Sequence, residues 1–394
     1  MRDISDLRQR QALPLNAKVL MTQNRIREWY QHFNGDVFVS FSGGKDNTVL
    51  AHLVHNMYPD VPLVFCDTGL EYPEVKTFAL ETMGAKKIKP KMAFNEVISK
   101  YGYPIISKEN AEAIHYARKL RKETEEKTAV RKRAELNGER KSCEYQGRIG
   151  FRRARLTGKT ITEAGDMDGK KSLFNKEKWL PLCRDTMFKI SHQCCDVMKK
   201  SPFGIYKRKN KVVPYLGTLA DESRLREQAW LRHGCNSFEG NKKSSQPLSF
   251  WIEQDILHYI KQEGLEIASV YGDIEAVDDD GYLYEPLQGI DCTLKCTGCN
   301  RTGCIYCCFG LHLEKGETRF QRLAKTHPKL YEYSISGGQW VDNPDYDPTA
   351  PKMDGEWVNW NPKKIWVPSK KGLGMKKVFD DCNQIYGKDF IRYE

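Results

Sequence analysis

The chain has no run near eighteen apolar residues, which excludes a membrane-spanning helix of ordinary length. Its first fifteen residues, MRDISDLRQRQALPL, hold no long apolar stretch, so the expectation is no secretory leader and a cytoplasmic protein. No internal repeat and no low-complexity tract is present, which excludes solenoids and linker-like segments. The nine His form no H-x-x-x-H or H-E-x-x-H pair, and no G-x-S-x-G element occurs. A histidine metal helix and serine-triad chemistry therefore have no support. What is plentiful is cysteine, thirteen in 394 residues, and most of it is clustered. A chain of this size needs no disulfide scaffold, so the clustering points to a metal or cluster site.

A net charge of +11 favours an anionic partner, phosphorylated metabolite or nucleic acid. The charge is local. From Arg118 to Arg155 there are fourteen Lys/Arg against six Glu, a net of +8. Within this stretch Ala111–Ala134 reads as a polar helix and Asn137–Gly147 as a loop. It is either a solvated face or a basic wall toward phosphates; few aromatics are interleaved, so no base-stacking platform is expected.

Ahead of it, Val37–Phe41 is a short apolar run and hence a buried strand. Val49, Leu50, Leu53 and Val54 then recur at helical spacing. Val61–Cys66 reads as a second strand and Pro73–Met83 as a second helix, which implies parallel strands with a right-handed crossover. Further on, Val212–Leu216 reads as a strand, and Asp221–Arg232 and Trp251–Lys261 as helices. The domain expectation is a helical segment over 1–35, a nucleotide-binding domain over 36–290 with a basic insertion at about 110–180, a cysteine-rich segment over 291–312, and an extension over 313–394. In that extension Gly337–Trp366 reads as an irregular layer whose Trp residues are packing anchors.

The most informative stretch is Ser40-Phe41-Ser42-Gly43-Gly44-Lys45-Asp46, between a strand and a helix. Two glycines let the backbone approach an anion, the helix start aims N–H groups at it, and Lys45 adds a point charge. Ser42 can donate a hydroxyl. This is neither a Walker loop nor a G-x-G-x-x-G fingerprint. Asp67 and Thr68 end the second strand at the same carboxyl edge, where open α/β sheets bind ligands, and are candidates for ribose or base contacts.

The S-G-G-K-D loop resembles the pyrophosphatase loop of the adenine-nucleotide α-hydrolase-like superfamily. Asp67-Thr68-Gly69-Leu70-Glu71-Tyr72-Pro73 is similar to the D-T-G-x-x-[FY]-P stretch of phosphoadenylyl-sulfate (PAPS) reductases. Gly217 through Glu222, Ser223 and Arg224 resembles their G-x-R-x-x-E-S-x-R segment, and Gln246-Pro247-Leu248-Ser249-Phe250-Trp251 with Asp255 their H-P-L-x-x-W-x-x-x-D. The resemblance runs from Asp36 to His312. It implies a doubly wound, mostly parallel α/β sheet carrying a basic helical insertion and a cysteine-rich C-terminal part. It also implies a site in which Ser40, Ser42, Gly43, Gly44, Lys45, Asp46, Asp67, Thr68, Gly69, Gly217, Glu222 and Arg224 bind the nucleotide. Lys45, Asp46 and Arg224 would be catalytic, with Asp46 orienting Lys45 or binding Mg²⁺.

Four features depart from the family pattern. Asn47 stands where the loop has Ser or Thr, Thr218 where the family has Arg, and Pro247 lacks the preceding His. The reductases place a nucleophilic Cys in a mobile tail, within C-G-[LI]-H; here the nearest match is Cys308-Phe309-Gly310-Leu311-His312, and Cys382 lacks the motif.

Cys296-x2-Cys299 and Cys304-x2-Cys307 are ligand-type pairs. One reading is a zinc knuckle on Cys296, Cys299, Cys304 and Cys307. The other, implied by a resemblance of Cys194-Cys195 to the paired cysteines of iron–sulfur adenylyl-sulfate (APS) reductases, is a [4Fe–4S] cluster. Its ligands would be Cys194, Cys195, Cys304 and Cys307, with Cys299 as substitute. The chain is thus expected to be an enzyme binding ATP or an adenylyl-sulfate. It would either split ATP to drive sulfur transfer, with DNA or RNA and a sulfur-donor protein as partners, or reduce an adenylyl-sulfate with a thiol-reductant protein. A non-catalytic nucleic-acid-binding protein is the third possibility.

Overall fold

The computed structural model describes residues 3–118, 156, 159–161, 167–171, 175–240, 243–278, 283–284, 292–349 and 360–394. Most of the basic run between Arg118 and Arg155 lies outside the described residues, as do the Asn137–Gly147 loop and Trp357. Two compact units divide the chain: residues 1–91 with 197–304, and residues 92–196 with 305–394.

The first unit is built on a six-stranded sheet. Its strands are β1 (Val37–Phe41), β2 (Leu63–Cys66), β3 (Lys86–Ile88), β4 (Val213–Leu216), β5 (Asn236–Ser237) and β6 (Ser244–Ser245), ordered β3-β2-β1-β4-β6-β5. All neighbours run parallel except the β5–β6 edge pair. Val39 lies opposite Leu63 on one side and Tyr215 on the other. Val, Phe and Leu dominate β1 and β2 because both faces of such a sheet are covered. Alternation sends Phe38 and Phe41 to opposite faces. Phe38 meets Tyr206 of a helix over Ser201–Asn210, and Phe41 meets the Phe78 ring. The expected doubly wound α/β architecture is therefore present.

Strand order reverses between β1 and β4. A crevice opens at such a point, outside the carboxyl ends of the strands. The helix after β1, α1 (Lys45–His55), carries the expected apolar spacing, and Val49, Leu50, Leu53 and Val54 are all buried. The expected Pro73–Met83 helix is α-helical over Pro73–Thr77 and π-helical over Phe78–Thr82.

The Gln246–Asp255 segment is a structural lock. Trp251 is fully buried, and its Nε1 donates to Thr22 Oγ1 at 2.9 Å. Lys18 Nζ reaches both Asp255 carboxylate oxygens at 2.7 Å, and Asp255 also accepts from Ile252 N. Both partners are buried, so each charge depends on the other. A second sheet, not anticipated from the pattern, pairs Ile274–Val277 antiparallel with Thr293–Cys296 and delivers the first cysteines.

In the second unit, Gln339–Asp342 and Lys364–Val367 form an antiparallel pair, where an irregular layer was expected. Their Trp340 and Trp366 rings meet across the strands, a stabilisation that Gly- and Pro-rich flanks concealed. Trp360 and Trp366 are anchors: each Nε1 donates to a backbone carbonyl, of Thr186 and Gly374. Arg118, first of the basic run, is also structural. Its guanidinium donates to the carbonyls of Leu182, Cys183 and Phe188 and to Thr186 Oγ1, and stacks 4.2 Å from the Trp360 ring. No helix among the described residues is long and apolar enough to cross a membrane.

Lys18→Met strands a buried carboxylate, and we expect it to cost about 3–5 kcal/mol in urea unfolding. Lys18→Met/Asp255→Leu should recover part of the loss. Unchanged unfolding of the single variant would refute the lock.

Candidate nucleotide site

The loop between β1 and α1 lies at the crevice. Gly43 has φ +73°, and a Cβ there would stand 2.7 Å from Val75 Cγ1 and 3.0 Å from Val75 O. Only glycine fits on both counts. Gly44 caps α1 in extended conformation without a side-chain hydrogen bond. The cap residue brings no side chain, and two hydroxyls lie at the helix start: Ser42 Oγ accepts from the Gly44 N–H at 3.4 Å, and the Tyr271 hydroxyl bonds the Lys45 backbone.

Asn47 does not replace the missing hydroxyl. Its Nδ2 donates to Ser42 Oγ at 2.9 Å, so it positions Ser42. Its Oδ1 is buried without a partner and would stand 3.0 Å from a Cβ at Gly217. Gly217 thus brings the turn after β4 against the loop after β1.

Lys45 is only 6% exposed. Its Nζ donates to Glu253 Oε1 at 3.1 Å and lies 3.6 Å from Cys296 Sγ and 5.4 Å from the Tyr271 ring centroid. Beside it, burial raises the Asp46 carboxyl above the usual carboxylate range, although Lys45, Arg301 and Arg226 pull it back. The Tyr271 hydroxyl bonds Thr302 Oγ1 at 2.6 Å, and burial pushes that phenol up to about 12.

At the end of β2, Asp67 is buried and pairs with Lys76 at 3.0 Å. Thr68 Oγ1 donates to Glu71 Oε1 at 2.7 Å, and the same carboxylate accepts from the Thr68 and Leu70 N–H groups. Thr68 is therefore engaged within its own turn and Asp67 by the helix that follows. Gly69, φ +72°, is exposed beside them with nothing within 4 Å of a Cβ. Ser40, on β1, is half-buried.

Beyond Gly217, Glu222 holds two arginines. Arg226 is ion-paired to its Oε2, and Arg301 Nη2 lies 2.6 Å from Oε1. Arg224 is exposed on the first turn of the following helix (Arg224–His233). Both Arg226 and Arg301 act electrostatically on Asp46. Among the described residues these are the guanidiniums that act on the loop. Sequence reasoning missed Glu253, Tyr271, Arg301 and Thr302. Arg301 carried the only signal, a cation inside the cysteine-rich segment.

Cys299 and Cys304 belong to the first unit, and Cys194, Cys195 and Cys307 to the second. Cys299 Sγ donates to Arg301 O at 2.8 Å. The Cys194 and Cys195 sulfurs are 3.9 Å apart. Two thiolates at about 2.3 Å from one tetrahedral metal stand about 3.8 Å apart, so this spacing suits two ligands on a single metal ion and is too short for thiolates on separate irons of a cluster. Among the described residues of each unit, no group of three or more His, Cys, Asp or Glu side chains is gathered around one point. Cys308 is 1% exposed, in a parallel pair with Ile105, and burial pushes its thiol well up. Cys382 is fully buried and its thiol is also raised.

The family model of the phosphoadenosine phosphosulfate reductase domain matches residues 36–148 and 155–308. Over 69 residues the chain is 32% identical to the phosphoadenosine 5'-phosphosulfate reductase of Xylella fastidiosa (strain M12), which is 18% of this chain and 29% of that protein. The chain thus spans under a third of the length of that curated relative. Among solved structures, the phosphate complex of phosphoadenylyl-sulfate (PAPS) reductase from Candida auris aligns with 63% of this chain and 82% of its own, at 13% identity and a TM-score of 0.32.

A half-buried carboxylate whose pKa is raised by desolvation favours the folded state only while it is protonated. Asp46 therefore lowers stability as pH rises above the ordinary carboxylate range. Asp46→Asn should raise the melting temperature of the nucleotide-free protein at pH 7.5, on the order of 1–3 °C. The gain should shrink toward pH 4. A lower melting temperature for the variant at pH 7.5 would contradict the assignment.

Proposed function

The chain belongs to the phosphoadenosine phosphosulfate reductase domain family, and on that premise we propose that it is an enzyme splitting ATP to AMP and pyrophosphate to activate an acceptor for sulfur transfer. The observation that carries this reading is the burial of Cys308 and Cys382. A reductase needs a thiolate that can reach the sulfate sulfur, and both the nearest motif match, Cys308, and the tail cysteine, Cys382, are enclosed with raised thiols. The loop needs no such thiol to work on ATP.

In the proposed reaction the acceptor oxygen attacks the α-phosphorus. The bond to the bridging α–β oxygen breaks, and pyrophosphate leaves with that electron pair. A sulfur nucleophile then displaces AMP. Catalysis is positioning and charge neutralisation. The loop backbone at Ser42, Gly43 and Gly44 receives phosphate oxygens, and Lys45 exchanges Glu253 for phosphate. Asp46 orients Lys45 or holds Mg²⁺, and Arg226 opposes developing charge. Gly69 leaves open space beside the nucleotide. The resemblance to APS reductases implies an iron–sulfur cluster with ligands among Cys194, Cys195, Cys299, Cys304 and Cys307, which when bound would supply a redox or electrostatic element. The proposed partners are DNA or RNA on the basic run and a protein that delivers sulfur.

We expect pyrophosphate release from ATP that rises when an RNA or DNA acceptor is added and falls at least about 100-fold in Lys45→Ala. Sulfite from APS or PAPS with a thiol donor would overturn this reading in favour of reduction. An anaerobic preparation should carry about four iron and four sulfide per chain. Stoichiometric zinc instead would make the cysteines a structural knuckle.

A further inference from the structure

Resting on that reading, we propose that Arg301, delivered by the cysteine-rich segment, forms with Arg226 a two-guanidinium clamp for the terminal tetrahedral oxyanion of the nucleotide. That oxyanion is the terminal phosphate of ATP or the sulfate of an adenylyl-sulfate. Glu222 pairs with one nitrogen of each guanidinium. The geometry begins one residue further on. Thr302 Oγ1 lies 3.8 Å from where a Cβ on Gly44 would stand and bonds the Tyr271 hydroxyl at 2.6 Å. The turn after Cys299 is therefore seated on the phosphate loop, and Arg301 leaves it toward Glu222.

The carboxylate is held in place. Glu222 Oε2 accepts from Leu219 N at 3.2 Å, closing the short turn that precedes the Arg224–His233 helix. Two cations on one carboxylate leave a net positive charge. Like-charge repulsion between the guanidiniums is relieved when a multivalent anion replaces or joins the carboxylate. Arginine suits that task because its planar fork binds two oxygens of a tetrahedral group at once. Arg301 remains 62% exposed, so a ligand can reach it. Arg224, which the motif suggested for this role, is exposed on the following turn and is not needed by the clamp.

The mechanism separates the two ends of the nucleotide. Arg301 should act on the terminal oxyanion and leave the adenosine monophosphate portion alone. Calorimetric titration of the full chain with ATP, pyrophosphate, APS and AMP tests this. For Arg301→Ala we expect affinity for ATP and pyrophosphate to fall about 10- to 100-fold, with AMP within about twofold. Arg301→Lys keeps the charge, loses the fork and should fall between. A matching loss for APS extends the clamp to sulfate; an unchanged APS affinity restricts it to phosphate. Equal weakening of AMP, or no weakening of ATP and pyrophosphate in either variant, overturns the inference and leaves the functional reading standing. A wild-type protein that binds none of the four ligands overturns both.

Discussion

Gly43 leaves no space for a methyl group: its Cβ would lie 2.7 Å from Val75 Cγ1, and its φ is +73°. That close approach presses the loop after β1 onto the helix after β2, so two crossover helices converge at one edge of the sheet. The start of α1 and the position of Lys45 both follow from it. A second approach, Gly217 against Asn47, closes the other side of the crevice. The site is a meeting of backbones that glycine alone permits, at the point where strand order reverses.

Around that backbone the charges are arranged in pairs that a polyanion would rearrange. Lys45 rests on Glu253, Arg226 and Arg301 on Glu222, and Asp46 is pushed toward its neutral form by burial. Each of these cations is held in place by a carboxylate. In the proposed reaction an incoming phosphate would compete for cations that are already positioned, which would lower the ordering cost of binding. The same arrangement explains why Thr68 and Asp67 do not project as isolated ligands. Glu71 and Lys76 tie them into the turn, and the exposed Gly69 provides the open face.

Motif residues divide into two groups. Trp251 and Asp255, part of a segment that resembles a functional signature, bury themselves against Thr22 and Lys18 and stabilise the unit. Arg118 opens the most basic stretch of the chain, yet its guanidinium is spent on four acceptors and a Trp ring. Charge in a sequence does not say whether the group faces solvent or a ring of carbonyls.

The order of short apolar runs and glycine turns was enough to determine the parallel sheet, the loop and its lysine. Strand burial, crossover handedness and glycine's φ freedom are local or nearly local constraints, and they are written in neighbouring residues. Tertiary structure alone decided which cations face the loop. Arg301 lies 255 positions beyond Asp46 and reaches Glu222 only because Thr302 seats its turn on Gly44 and Tyr271. It also decided that Cys308, in the nearest match to a nucleophile's motif, is enclosed beside Ile105 and Met375. Spacing predicts what a residue is able to do; burial and long-range packing decide whether it is placed to do it, because desolvation and distance appear only once the chain has folded.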